Sequence, residues 1–451
     1  MADDYNDEEP ERLTPEDFQK FLAEFLNNPS SEDAMRLAKA AGLSGDPDQL
    51  KQLLDQLQIA MQASTPSASG SPSGVNWTLA IEQAKAVARK TNFGVTEAQR
   101  DQLREATQIA SLWLNQVTAI AELTSEPKLL TRDLWVDDAT GLMKALSEPI
   151  ALRMSSALGE HLESQAPEEL KAILGQAGGI MKQAGGALFA MQLGGAMGKL
   201  STQVLTGADL GLPIFSDQRA AFIPQNLDEF AKGLGAEEDQ VRIYLAVREL
   251  AHARLFKEAR WLRDHVVSQI VNYSSQIHVD DEQLGNLADI MNDVDPEKVR
   301  EVFETHAFIA PKTEEQERAL ERIETMLALI EGWVDAVTEQ ATTLLPKTAA
   351  IAEAVRRRRA TGGPAELTFG TLLGLELRPR KLREATAMWR EIAAAVGNTR
   401  RDEIWLHPDQ MPSTEEIHEP KLIINRLVGV VDVSDESGDD FDQALRDLLG
   451  E

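Results

Sequence analysis

Val241-Arg-Ile-Tyr-Leu-Ala-Val-Arg248-Glu249-Leu-Ala-His252-Ala-Arg-Leu-Phe256 is the stretch on which the reading of this chain turns. Wound as a helix, it puts Val241, Leu245, Arg248, His252 and Phe256 on one side, with Ile243, Val247 and Leu250 on the opposite side. A helix that is apolar on both sides is buried. Arg248, Glu249 and His252 are therefore expected inside the protein, where a charge is costly unless it is paired or bound to a metal.

The five residues from Arg248 to His252 have the frame of a His-Glu-x-x-His helix with the first histidine replaced. In the intact motif two histidines one turn apart ligate zinc, and the glutamate beside the first activates the metal-bound water. A lone Glu-x-x-His occurs by chance in many sequences, so a further ligand elsewhere decides its weight. Leu327-Ala-Leu-Ile-Glu331-Gly332-Trp333-Val-Asp335-Ala-Val supplies a candidate. Leu320, Leu327, Glu331, Val334 and Thr338 make one helical stripe with an acid at its middle, and such an acid needs a buried partner. Arg248 can supply it bidentately, or a metal shared with His252 can.

Around these two segments the chain reads as mostly helical. Residues 15–62 show helical spacing and suggest a small appendage behind an acidic tail, and 63–74 (ASTPSASGSPSG) is a flexible linker by composition. Helical periodicity dominates from about 77 to 400, and the main domain is expected over 75–420. Strand-like pieces are few: Leu212–Phe215, Ala220–Pro224 and the run LIINRLVGVVDV over Leu422–Val433. Gly186, Ala190, Gly194 and Gly198 recur every four residues and make a smooth face for a close helix neighbour. That segment is too short and too rich in glycine to span a membrane. Four consecutive arginines, Arg356–Arg359, read as a charged helix end that suits the C-terminal dipole. With Arg378, Arg380, Lys381 and Arg383 they would instead offer a basic surface to an anionic ligand or an acidic partner.

Composition excludes several functions. The formal charge is −29, which argues against nucleic-acid or anionic-membrane binding. Residues 1–20 and 432–451 together carry −13 of it and read as solvated, disordered acidic ends, the C-terminal tail being expected over 421–451. There is no cysteine, hence no disulfide, thiolate ligand or cysteine nucleophile. No G-x-S-x-G elbow is present. The first residues lack a basic-then-apolar leader, so a cytoplasmic protein is expected. His161, His265, His278, His306, His407 and His418 read as surface or hydrogen-bonded residues rather than ligands.

Taken together, VNWTLAIEQAKAVARK from Val75, LTGADLGLP from Leu205, YLAVRELAHARLF from Tyr244, LALIEGWVDAV from Leu327, GGPAELTFGTLLGLELRPRKLREATAMW from Gly362 and IWLHPDQMPSTEEIHEP from Ile404 resemble the zincin-like metallopeptidase type 2 family of bacterial proteins. The resemblance implies a mainly α, zincin-like helical core with minor short strands, in which the His-Glu-x-x-His-type helix faces a Glu-Gly helix. Carried over residue by residue, it makes Glu249 the general base and His252 and Glu331 zinc ligands. Arg248 departs from the pattern, because a guanidinium stays protonated and cannot ligate. The ligand set is then one short, and Arg248 and Asp335 modify the site. The expectation is a degenerate centre in which Arg248 pairs with Glu331 or Glu249, zinc is absent and peptidase activity is weak or lost. Two alternatives stand beside it: an active metal-dependent hydrolase using a ligand outside the motif, and a helical scaffold that binds a peptide or protein partner.

Overall fold

The computed structural model describes residues 73–165, 186–187, 189–212, 214–277, 311–360 and 381–429. The expected appendage, most of the linker and the acidic C-terminal end lie outside the described residues, as do Arg378, Arg380, His278 and His306. In chain order the helices are α1 (Trp77–Arg89), α2 (Glu97–Val117), α3 (Arg132–Gln165), α4 (Pro224–Lys232), α5 (Glu238–Glu258), α6 (Arg260–Ser275), α7 (Glu314–Ala341), α8 (Thr348–Ala360), α9 (Leu382–Glu403), α10 (Thr414–His418) and α11 (Pro420–Val428). A further helical run covers 189–201. The protein is mainly α, as its periodicity implied.

The chain divides into two compact units, neither contiguous in sequence. The first comprises Met1–Gln83, Ser147–Gly194 and Ser275–Pro311. Within it, Ser73 Oγ and Trp77 Nε1 donate to the Glu148 carboxylate at 2.7 and 2.8 Å. The small-residue face works as its spacing predicted. A Cβ added to Gly186 would lie 2.1 Å from the Gly74 carbonyl, and one on Gly194 would lie 2.4 Å from that of Ala80.

The second unit, Ala84–Leu146, Gly195–Ser274 and Lys312–Glu451, holds the charged motifs. Capping boxes fix the starts of two of its helices. Thr96 and Gln99 cap α2, and Thr313 and Gln316 cap α7. α2 turns Leu103, Ala106, Ala110, Leu114 and Val117 inward and packs on α5, which also packs against α7. α5 is buried nearly all round from Val241 to Phe256, as a helix apolar on both sides must be. α7 crosses α9 at Gly332, where a Cβ would come within 2.9 Å of the Ala385 backbone. The Glu-Gly pair thus has a division of labour. Gly332 admits α9, while Glu331 one position earlier looks toward α5.

β structure is minimal among the described residues. β1 (Lys128–Leu129) pairs in parallel with β2 (Ala221–Phe222), and Gly207 N donates to Ala221 O on the other flank of β2 at 2.9 Å. Ala220–Pro224 was a strand-like piece and contributes β2, whereas no strand forms at the described positions of Leu212–Phe215. The reading of Leu422–Val433 as strand-like is corrected, because α11 occupies Pro420–Val428. Pro420 presets the first turn and Gly429, at φ 75°, ends the helix in the left-handed region. These end signals outweigh the β-branched residues between them. No helix among the described residues is long and apolar enough to cross a membrane.

Candidate functional site

α5 and α7 bring Arg248, His252, Glu331 and Asp335 into one buried cluster; His252, Glu331 and Asp335 are each no more than 2% exposed. Arg248 forks between two acids one turn apart on α7. Its Nη2 pairs with Glu331 Oε2 and its Nη1 with Asp335 Oδ1. Of its two alternative expected partners Arg248 reaches Glu331 and not Glu249, and Asp335 joins as a second acid. His252 Nε2 lies 3.0 Å from Glu331 Oε1, and its Nδ1 lies 3.0 Å from the Arg248 carbonyl. Each ring nitrogen therefore faces an oxygen atom of the protein.

The arginine run joins the same cluster from α8. Arg359 Nη1 pairs with Glu331 Oε2, and its Nη2 donates to the Asp209 carbonyl at 2.8 Å. Arg358 Nη1 donates to both Asp209 carboxylate oxygens at 2.8 Å, and Arg356 Nη1 donates to Glu339 Oε1 at 2.8 Å. Arg356 also stands 3.6 Å from Asp335 Oδ2. The reading of this run as only a charged helix end is corrected here. Arg356 and Arg359 turn inward because α7 presents Glu331, Asp335 and Glu339 at four-residue spacing, a row of acids that the fold must neutralise, while Arg358 turns to Asp209. That row is visible in the sequence and is the signal that would have placed Arg356 and Arg359.

Electrostatics follow from these contacts. Burial alone would raise the Glu331 pKa, but the charges of Arg359, His252 and Arg248 outweigh it and hold the carboxyl well below the usual range. Burial would lower the pKa of Arg248, yet Asp335 and Glu331 raise it further. Asp209 is likewise pushed up by burial and pulled down more strongly by Arg358 and Arg359.

Glu249 does different work. Its Oε1 accepts from Ala221 N at 2.9 Å and its Oε2 from Ala208 N at 3.0 Å, which staples β2 and the 206–208 loop to α5. Burial raises its pKa against these hydrogen bonds. A small, solvent-open cleft borders Gly207, Phe215, Glu249, His252 and Phe256. The other described histidines stand elsewhere: His265 packs edge-on to Trp261, and His407 Nδ1 accepts from Asp409 N at 3.2 Å. Among the described residues no group of three His, Asp or Glu side chains is placed to hold a metal ion.

A family model described as zincin-like metallopeptidase matches residues 75–424. The chain belongs to that family. The fold of this family member also resembles a crystal structure from Chloroflexus aurantiacus, a protein given a provisional hydrolase assignment and a fold described as novel. The TM-score is 0.54 at 18% identity, over 78% of this chain and 99% of that one, and the likeness is one of fold. No curated protein matches by sequence. The family implies zinc in general, so the question for this member is whether its own side chains suit the ion.

Proposed function

We propose that this protein is a zincin-fold member whose metal centre has given way to a guanidinium–carboxylate cluster, with weak or no peptidase activity and a role in binding a peptide or protein partner. The observation that carries the reading is the state of Glu331. Its Oε1 is taken by His252 and its Oε2 by both Arg248 and Arg359. Zinc in a peptidase needs three protein ligands and an open position. Here the first motif position is an arginine, and the two candidate ligands are already bonded to each other. The residues present do not fit the ion, and no catalytic step is derived through it. Glu249 then serves as a backbone staple rather than as a base.

The test is hydrolysis of an unfolded protein substrate with added zinc, with and without a chelator. The reading expects no chelator-sensitive cleavage. Chelator-sensitive cleavage that disappears in Glu249→Gln and Glu331→Gln would replace it with the active-hydrolase alternative.

A further inference from the structure

Of the arginines that α8 brings to the cluster, Arg359 is the one that reaches Glu331. Its side chain is 14% exposed, against 7% for Arg248 and 2% for Glu331. It stands in the last turn of α8 and spans two acceptors of different kinds, the Glu331 carboxylate and the Asp209 backbone carbonyl. Both acceptors are held in place without it. Glu331 is fixed by His252 and Arg248 on α5. The Asp209 peptide is fixed by its own carboxylate, which accepts from Leu205 N at 2.9 Å and from Arg358, and by the turn in which Gly211 N donates to Ala208 O at 2.8 Å. Gly211, at φ 71°, lays bare backbone against the carboxylate, where a Cβ would stand 3.0 Å from Glu331 Oε1.

Taking the Arg359 side chain away would therefore leave a carboxylate oxygen and a carbonyl oxygen preset for one planar fork. Two donors at fixed separation are what a guanidinium offers and a point-like ammonium does not. We propose that the centre is a guanidinium-binding site: Arg359 is its tethered occupant, and an arginine side chain presented by a peptide partner takes the same place when Arg359 withdraws. The proposal rests on the metal-free reading above, since a zinc ion on Glu331 would compete for the same oxygens.

In the full-length chain, calorimetric titration with N-acetyl-arginine amide compares wild type, Arg359→Ala and Arg359→Ala/Glu331→Gln. N-acetyl-citrulline amide, of the same shape without the charge, is the control. A wild-type site already filled from within binds an outside ligand more weakly, by the fraction of time it stands open. The expected result is saturable binding of the arginine probe to Arg359→Ala, at least about tenfold tighter than to wild type. Binding should vanish in the double variant and with the citrulline probe. Binding to Arg359→Ala no tighter than to wild type, or equal for the two probes, overturns the proposal. Should Arg359→Ala not fold, Arg359→Gln replaces it: a rise in its melting temperature with the arginine probe alone is expected, and no such rise overturns the proposal. Failure of these arms in a zinc-free wild type removes the ligand and leaves the metal-free centre standing.

Discussion

Replacing Arg248 by methionine keeps much of the side-chain length and removes the charge that two buried acids share. Glu331 would still have Arg359 and His252, but Asp335 would be left with Arg356 at 3.6 Å as its nearby cation. Among the described residues its Oδ2 has no hydrogen-bond partner even in the intact site. Breaking a buried pair by removing one partner costs about 3–5 kcal/mol. At roughly 2–4 °C per kcal/mol for a domain of this order, the melting temperature should fall by roughly 6–20 °C. The double variant Arg248→Met/Asp335→Leu removes the stranded carboxylate as well, so its loss should be smaller than the sum of the single losses by about 2 kcal/mol. Urea unfolding of wild type, both single variants and the double variant measures this cycle. An Arg248→Met protein within about 0.5 kcal/mol of wild type, or strictly additive losses, would refute the idea that Arg248 neutralises Asp335.

Three further outcomes follow from the same geometry. Arg248→His alone should bind zinc poorly, because Arg359 still occupies Glu331 Oε2, whereas Arg248→His/Arg359→Gln should bind it at least about tenfold tighter; equal affinities in calorimetry would contradict this. Gly332→Ala should cost about 1–3 kcal/mol by forcing α9 off α7, and an unchanged urea midpoint would show that the crossing can yield. Asp209 has a folded pKa below its unfolded value of about 3.9, so it binds fewer protons folded than unfolded. Its stabilising contribution is present above that unfolded value and is lost as pH falls through the folded one. Asp209→Asn should therefore flatten the loss of stability below about pH 4, and an identical acid limb would count against the Arg358–Asp209 contact.

How much of this could be read from sequence differs by element. The burial of α5 was legible because apolar residues flank its charges on both sides, and the glycine face was legible from its four-residue period. The Arg248–Glu331 contact followed from an acid centred in an apolar stripe. Asp335 was flagged, but its pairing with Arg248 depends on the rotation of α7 against α5, which no local pattern encodes. The inward turn of Arg358 is non-local as well, since its partner Asp209 lies 149 positions away. The part played by Glu249 was hidden because its partners are backbone N–H groups, which any residue carries. Two-residue strands such as β1 fall below the length at which alternation can be seen. At α11, Pro420 and Gly429 were the informative residues rather than the apolar run between them.

The central claim is that arginines stand where the family's metal would be held. Zinc content of the wild-type protein, purified without chelator and measured by elemental mass spectrometry alongside Glu331→Gln, tests it most directly. The account predicts far less than one zinc per chain in both proteins. About one zinc per wild-type chain, lost in Glu331→Gln, would contradict it.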